Sequence, residues 1–112
     1  MFKVHVKKYY NFLWKFILHL IFRNLHILML SENQLSVLPS SLFSPLSSLN
    51  SLSLDHNLLA SLPEDLFSAS SNLGVLALNS NLLEAIPLAL GSLINLRTLD
   101  IGENMIKQVI PS

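Results

Sequence analysis

One asparagine recurs at a fixed place in an otherwise apolar pattern. In the stretch LNSLSLDHNLLASLP, residues 49–63, Asn57 interrupts a run of leucines. An amide in such surroundings is costly to bury unless its polar atoms find hydrogen-bond partners, so a chance asparagine should not recur. The same position is nevertheless occupied by Asn33, Asn57, Asn81 and Asn104.

The recurring asparagine belongs to an internal repeat. The leucines that open each copy, Leu25, Leu49, Leu73 and Leu96, are separated by 24, 24 and 23 residues. A period of this length is typical of a stacked solenoid, in which each copy forms one coil and buries its apolar face against its neighbours. We assign coils to residues 25–48, 49–72, 73–95 and, incompletely, 96–112, about three and a half in all.

Each repeat has two halves with different periods. Leucines alternate with other residues in the first half, as at Leu52 and Leu54, which predicts a short parallel strand with one buried face. After Pro39, Pro63 and Pro87 the apolar spacing becomes looser and favours a turn of α- or 3₁₀-helix. The expected fold is therefore an α/β solenoid with strands on the concave face and short helical segments on the convex face.

The asparagines have a structural explanation in such a fold. At the turn after each strand, backbone groups are left without partners, and an amide supplies both a donor and an acceptor. We expect the four side chains to form a ladder that joins the turns of adjacent coils, and we assign them no binding role.

These residues resemble the leucine-rich repeat family. Its pattern LxxLxLxxNxLxxLP is met almost completely by residues 25–39, 49–63 and 73–87. A narrower resemblance links residues 78–106, with IPLAL and LRTLDIGENMI, and the preceding LPEDLF to the ectodomains of insect Toll receptors, closest to the Tollo type. This resemblance implies an extracellular horseshoe, a single membrane span and a cytoplasmic TIR domain, of which this chain would hold part of the horseshoe.

The N-terminal segment, residues 1–23, differs in kind from the repeats. Its apolar run from Tyr9 to Phe22 is too short and too polar to span a bilayer, and Lys15 interrupts what would be the core of a signal peptide. The polar residues recur every three or four positions, which predicts a basic amphipathic helix. We favour a helix that caps the first coil; a membrane-surface helix and a start foreign to the natural protein are the alternatives.

Charge argues against nucleic acid as a partner of the repeats. All seven acids lie from Glu32 onward, where Arg97 and Lys107 are the only Lys or Arg residues, so residues 24–112 carry a formal charge of 2 − 7 = −5. Phosphate binding needs a basic face. A membrane partner is expected only through other parts of a full-length protein.

Catalytic and metal-binding patterns are weak, and we predict no enzyme, cofactor or metal site. Asp55 and His56 are adjacent, but neighbours on a strand point to opposite faces, so we expect no catalytic dyad. The four histidines show no paired metal-ligand spacing.

What remains is a binding surface on the concave face. The residues that alternate with the buried leucines line it, and the candidate protein-binding residues are Met29, Ser31, Ser53, Asp55, Ala77, Asn79, Asp100 and Gly102.

Two functions are consistent with such a surface. The first is a recognition module of a Toll-like receptor at the extracellular side of the plasma membrane, which binds a protein ligand or another leucine-rich repeat ectodomain in transmembrane signalling. The alternative is a cytoplasmic leucine-rich repeat scaffold of a signalling pathway, since the chain has no cysteine and its third coil, with IPLALGSLINL, resembles such scaffolds.

Overall fold

Five short strands form one parallel sheet. The computed structural model describes residues 2–3, 24–40, 42–44 and 46–107. Its strands, listed in chain order, are β1 (Phe2–Lys3), β2 (Ile27–Met29), β3 (Ser51–Ser53), β4 (Val75–Ala77) and β5 (Thr98–Asp100). Spatial order follows chain order, and each neighbouring pair is parallel. This arrangement confirms the predicted leucine-rich solenoid.

The register places equivalent residues of successive coils side by side. Leu28 pairs with Leu52, Leu52 with Leu76, and Leu76 with Leu99. The first three of these leucines are at most 1% exposed, whereas Leu99 on β5 is 38% exposed. A continuous leucine core therefore runs through the described coils and thins out at β5.

The predicted N-terminal helix is not supported. Phe2 and Lys3 form strand β1, in register with Leu28 and Met29 of β2. A recurrence of polar residues every three or four positions reports local amphipathicity only, whereas pairing of the first residues with β2 is a contact between distant parts of the chain. Residues 4–23, on which the capping, membrane-surface and non-native interpretations depend, lie outside the described residues.

The outer side of each coil is made of tight turns. Pro39, Pro63 and Pro87 each place a carbonyl that accepts a hydrogen bond from the backbone N–H three residues later, at 3.1–3.2 Å. Only the third coil continues this turn into a regular element among the described residues, the 3₁₀ helix Leu88–Ser92. The rings of Phe43 and Phe67 stack between coils, with centroids 6.2 Å apart and planes 7° from parallel.

The third coil is one residue shorter than the first two, and the shortening lies on this outer side. A second turn hydrogen bond joins Leu46 to Phe43, Ser70 to Phe67 and Leu93 to Leu90. Leu90 therefore takes the place of the phenylalanines, three residues after Pro87 where the other coils have four.

Ser70 is the polar exception in this row. It stands where the adjacent coils have Leu46 and Leu93, is 1% exposed, and its hydroxyl has no hydrogen-bond partner among the described residues. A buried hydroxyl without a partner is destabilising, so the second coil is packed less favourably here than its neighbours.

Candidate functional site

The predicted binding residues lie on one surface, which we call the strand face. Strand pairing aligns Met29 with Ser53, Ser53 with Ala77, and Ala77 with Asp100. The second row of candidates follows the first by two residues in each coil and consists of Ser31, Asp55, Asn79 and Gly102. Side chains of the first three coils are half-buried in both rows, and those of the fourth are exposed. Most of them are small, so the strand face is shallow and lined by strands from four successive coils.

A hydrogen-bonded group of three side chains lies at the edge of this face, where the strands of the first two coils end. The Ser31 hydroxyl donates to Asp55 Oδ1 at 2.8 Å, and His56 Nδ1 lies 2.9 Å from Asp55 Oδ2. The expectation that Asp55 and His56 point to opposite faces is therefore wrong. Both residues follow β3, and His56 has a φ of 56°, so the alternation of an extended strand no longer applies to it.

The contact between Asp55 and His56 changes the ionisation of both groups. Partial burial of the Asp55 carboxyl acts to raise its pKa. Hydrogen bonds from His56 and Ser31 outweigh this effect and hold the pKa of Asp55 below its ordinary value. The hydrogen bond to Asp55 raises the pKa of His56, and the charges of Asp55, Glu32 and Glu103 add to this effect. An acid and a base that each favour their charged form make an ion pair at the surface.

The same geometry does not make a nucleophilic triad. In a Ser-His-Asp triad the imidazole lies between the other two groups and takes the hydroxyl proton. Here the carboxylate of Asp55 lies in the middle and accepts from both Ser31 and His56. The arrangement orients polar side chains and offers no route for activating the hydroxyl.

The recurrent asparagines join the turns of adjacent coils. Asn57 Oδ1 accepts from the backbone N–H groups of Asn33 and Leu35 at 2.9 and 3.0 Å. Its Nδ2 donates to the carbonyl of Leu30 in the preceding coil, at 3.0 Å, and to that of Leu54 in its own, at 2.9 Å. The buried amide thus satisfies backbone groups on both sides of a coil boundary.

Two further asparagines repeat this pattern. Asn81 accepts from the N–H of Leu59, and Asn104 accepts from that of Leu83, both at 3.0 Å. The amide group of each donates to one carbonyl of the preceding coil and to two of its own coil, at 2.9–3.3 Å. Because the partners are backbone atoms, the row fixes coil spacing without contributing a binding group.

The residue before each asparagine adopts a left-handed backbone conformation. The φ values of Glu32, His56, Ser80 and Glu103 are 59°, 56°, 57° and 52°. None of the four is glycine, although only glycine adopts this conformation without strain. The turn is thus imposed by the solenoid and repeated in every coil.

A second row of amides, which the sequence analysis missed, lies at the opposite end of the strands. Asn72 and Asn95 each donate to a backbone carbonyl of the preceding coil, and Asn50 donates to the carbonyl of Asn72 at the end of its own coil. They line an open groove of about 520 Å³ together with Ile94 and Arg97. The signal that points to it is the asparagine directly before Leu73 and Leu96.

Neither a metal cluster nor a membrane-spanning element stands out in the described part of the chain. No group of three His, Cys, Asp or Glu side chains is placed to hold a metal ion there. The helical structure within the described ranges also lacks the length and hydrophobicity needed to cross a bilayer.

Comparison with known proteins identifies the fold family. Residues 23–83, which are 61 of the 112, match the family described as leucine rich repeat. The chain belongs to the leucine-rich repeat family. Leucine-rich repeat domains are in general protein-interaction modules and are typically not enzymes.

A solved structure supports the same assignment. The leucine-rich repeat domain of APL1B superposes with a TM-score of 0.67 at 31% identity, over 75% of this chain and 26% of that one. This leucine-rich repeat chain therefore spans about a quarter of the length of that structure. No curated protein matches the sequence.

Proposed function

We propose that this leucine-rich repeat chain is a recognition module of a Toll-like receptor ectodomain, where it binds a protein ligand or another leucine-rich repeat ectodomain. The observation that carries the recognition role is the strand face itself. Four strands in register present small, partly exposed side chains, and hydrogen bonds hold Ser31, Asp55 and His56 at the edge of that face. A shallow, preordered surface suits a protein partner because little side-chain freedom is lost on binding.

The receptor assignment is supported by the sequence of the third and fourth coils. Residues 78–106, which resemble Toll ectodomains, include β5 and Asn104, and Asn104 bonds back to the third coil. The proposed location is the extracellular side of the plasma membrane, with signalling across the membrane performed by other parts of a longer protein.

Site-specific photocrosslinking tests the recognition role. A photoreactive phenylalanine analogue replaces Ser53 in the middle of the strand face or, as a matched control, the exposed Ser68 on the outer side. Cells that express the natural gene product are illuminated, and adducts are identified by mass spectrometry. We expect protein adducts from position 53 and none of the same identity from position 68. Equal labelling at both positions would oppose recognition through the strand face.

The receptor assignment needs a separate experiment. The transcript is sequenced past both ends of this chain, and the natural product is tested by surface biotinylation of intact cells. A continuous frame with further repeats, a membrane span and a TIR domain, together with surface labelling, would support the proposal. A product that stays in the cytosol would refute it.

A cytoplasmic scaffold is the second candidate. The observation in its favour is the third coil, where Leu90 takes the position held by Phe43 and Phe67 and shortens the outer turn by one residue. The sequence of this turn is the part that resembles cytosolic scaffolds. Cytosolic retention in the biotinylation experiment would favour this candidate.

A further inference from the structure

A row of exposed apolar side chains runs beside the asparagine turns, outside the strand face. It consists of Leu58, Leu82 and Met105, which follow Asn57, Asn81 and Asn104 and are 47%, 42% and 48% exposed. We call it the apolar stripe. The backbone N–H of each residue donates to a carbonyl of the preceding coil at 2.8 Å, so the three stack one coil apart.

The fold does not require apolar side chains at these positions. Only the backbone N–H groups of these residues make hydrogen bonds to the preceding coil, and any residue other than proline provides such a group. The equivalent residue of the first coil is the exposed, polar Gln34. An exposed apolar side chain that contributes nothing to the core is common singly, but three aligned in neighbouring coils form a continuous strip suited to a partner.

Acidic side chains border the stripe on the strand-face side. Glu32, Asp55 and Glu103 lie in the turns that precede the row, and the charges of all three act on His56, which places them in one local field. Of the three Lys and Arg residues in the described ranges, Lys3 lies on β1 beside Met29, and Arg97 precedes β5 at the other end of the strands. Lys107 follows the stripe, at the position equivalent to Glu84 of the coil before, and its backbone N–H donates to the carbonyl of Glu84.

The spacing of the stripe distinguishes a helix from an extended segment. Strands of neighbouring coils are about 4.8 Å apart, so the three side chains span about 10 Å. Residues i, i+4 and i+7 of an α-helix also span about 10 Å along its axis, at 1.5 Å per residue. Residues i, i+2 and i+4 of an extended strand would span about 13 Å, so they would not match the spacing of the three side chains in the stripe.

We propose that the apolar stripe is a second docking surface, which receives an amphipathic helix of a partner protein with apolar residues at i, i+4 and i+7 and basic residues on the flank that faces Glu32, Asp55 and Glu103. Charge complementarity selects this occupant. A second copy of the same surface would bring like charges together, and an anionic membrane would be repelled for the same reason. This surface adjoins the strand face, with which it shares Asp55, but it does not rest on the recognition role proposed for that face.

A designed peptide pair tests the charge requirement. The probe is a fluorescent 14-residue helical peptide, with leucines at i, i+4 and i+7 and lysines on both flanks. Its control carries glutamates in place of the lysines. We expect the full chain to bind the basic peptide at least tenfold more tightly than the acidic one, with affinity that falls as salt is added. Equal affinity for the two peptides would overturn the proposal.

Matched variants of the chain test the site. Leu82→Ser removes the central side chain of the stripe, and Leu88→Ser removes an apolar side chain that is 77% exposed on the outer turn. We expect Leu82→Ser to weaken binding of the basic peptide by about tenfold and Leu88→Ser to leave it unchanged. Both positions are exposed, so circular dichroism should show both variants folded.

Two other results would overturn the proposal. The first is equal loss of affinity in Leu82→Ser and Leu88→Ser, which would mean unspecific apolar binding. The second is a dimer of the free chain that Leu82→Ser dissociates, which would mean that the stripe joins two copies. A Ser53→Phe variant separates the two surfaces, because its bulk should disturb partner recognition by the strand face and its neutral side chain should leave binding of the basic peptide intact.

Discussion

At the residue scale, the amide of Asn57 takes the hydrogen bonds that a turning backbone cannot make with itself. Two N–H groups of the preceding coil donate to its oxygen, and its nitrogen donates to carbonyls of both coils. No single apolar, hydroxyl or carboxylate side chain offers this combination of donor and acceptor capacity. The role explains why the residue recurs without variation in four coils.

Replacement of Asn57 by leucine should therefore be strongly destabilising. The N–H groups of Asn33 and Leu35 would be buried without partners, and we expect the free energy of unfolding to fall by at least about 3 kcal/mol. Urea denaturation followed by circular dichroism measures the change. The matched control is Asn72→Leu, since Asn72 is exposed and its amide makes one backbone hydrogen bond. Similar losses in the two variants would contradict the role assigned to Asn57.

The pair formed by Asp55 and His56 should make part of the stability dependent on pH. The raised pKa of His56 means that its contribution is present below about pH 6.5 and is lost as the pH rises through the raised value. The lowered pKa of Asp55 means that its contribution is present above about pH 4 and is lost at lower pH. The pair should thus stabilise the chain most between about pH 4 and 6.5.

An NMR titration of the His56 ring tests this pair. In the Asp55→Asn variant we expect the pKa of His56 to move down towards its ordinary value, because the carboxylate that favours the imidazolium is gone. Asp100→Asn serves as the control, since Asp100 is not among the groups that raise the pKa of His56. An unchanged pKa in Asp55→Asn would show that the contact does not persist in solution.

At the scale of the elements, the left-handed residue before each asparagine ends the strand and starts the turn. The conformation is repeated at Glu32, His56, Ser80 and Glu103, none of which relieves the strain as glycine would. Strain of this kind persists only where the surroundings fix the backbone, here through hydrogen bonds to the next coil.

Substitutions at Glu32 should reveal that conformation. We expect Glu32→Val to lower the free energy of unfolding by about 1–2 kcal/mol, because a β-branched residue is unfavourable at positive φ, and Glu32→Gly to change it little. The same substitutions at the exposed Glu84, whose φ is negative, serve as controls and should stay within about 0.5 kcal/mol for valine. Thermal unfolding measures all four variants. A valine effect of equal size at both positions would argue against backbone strain.

The elements show what periodicity can and cannot predict. Leucines at every second position predict the strands correctly, because only one face of the sheet is buried and alternate side chains point to it. The structure confirms these strands within a few residues. The contact of Asp55 with His56 was missed because the alternation was extended past the end of β3, where the backbone changes hand. The amphipathic pattern of residues 1–23 predicted a helix, but Phe2 and Lys3 join the sheet, since strand pairing to β2 is a nonlocal interaction that the pattern does not encode.

The candidate site, too, could be predicted from the sequence only in part. Its place on the molecule could be predicted, because residues that alternate with buried leucines must lie on the other face of the sheet. The apolar stripe could not, since its members are recognised only when the coils are stacked and the exposed fraction of each side chain is known. The second amide row was missed, although Asn72 and Asn95 recur directly before Leu73 and Leu96. The exposed Leu58 reads as an ordinary leucine in sequence, one position from the buried Leu59.

At the scale of the whole molecule, stability arises from contacts between neighbouring coils. Leu76 lies between β3 and β5 and is 1% exposed, whereas Leu99 has a partner strand on one side among the described residues and is 38% exposed. In a solenoid each coil is stabilised by its neighbours, so an interior coil contributes through two interfaces.

Alanine substitutions in these two leucines should therefore differ. We expect Leu76→Ala to lower the free energy of unfolding by about 2–5 kcal/mol and Leu99→Ala by less than half as much. Urea denaturation gives the two values, and native-state hydrogen exchange should show greater protection for β3 and β4 than for β5. Equal losses would indicate that the chain does not behave as a stack of nearest neighbours.

The missing residue of the third coil has a consequence for how such a chain changes length. Hydrogen bonds that join one coil to the next are concentrated in the strands and the asparagine turns, while the outer turns close on themselves through bonds three residues apart. A deletion after Pro87 leaves the inter-coil bonds of Asn81 and Asn104 in place. Insertions and deletions are therefore tolerated on the outer arc, where they alter the local bend of the solenoid and leave the spacing of the strands unchanged.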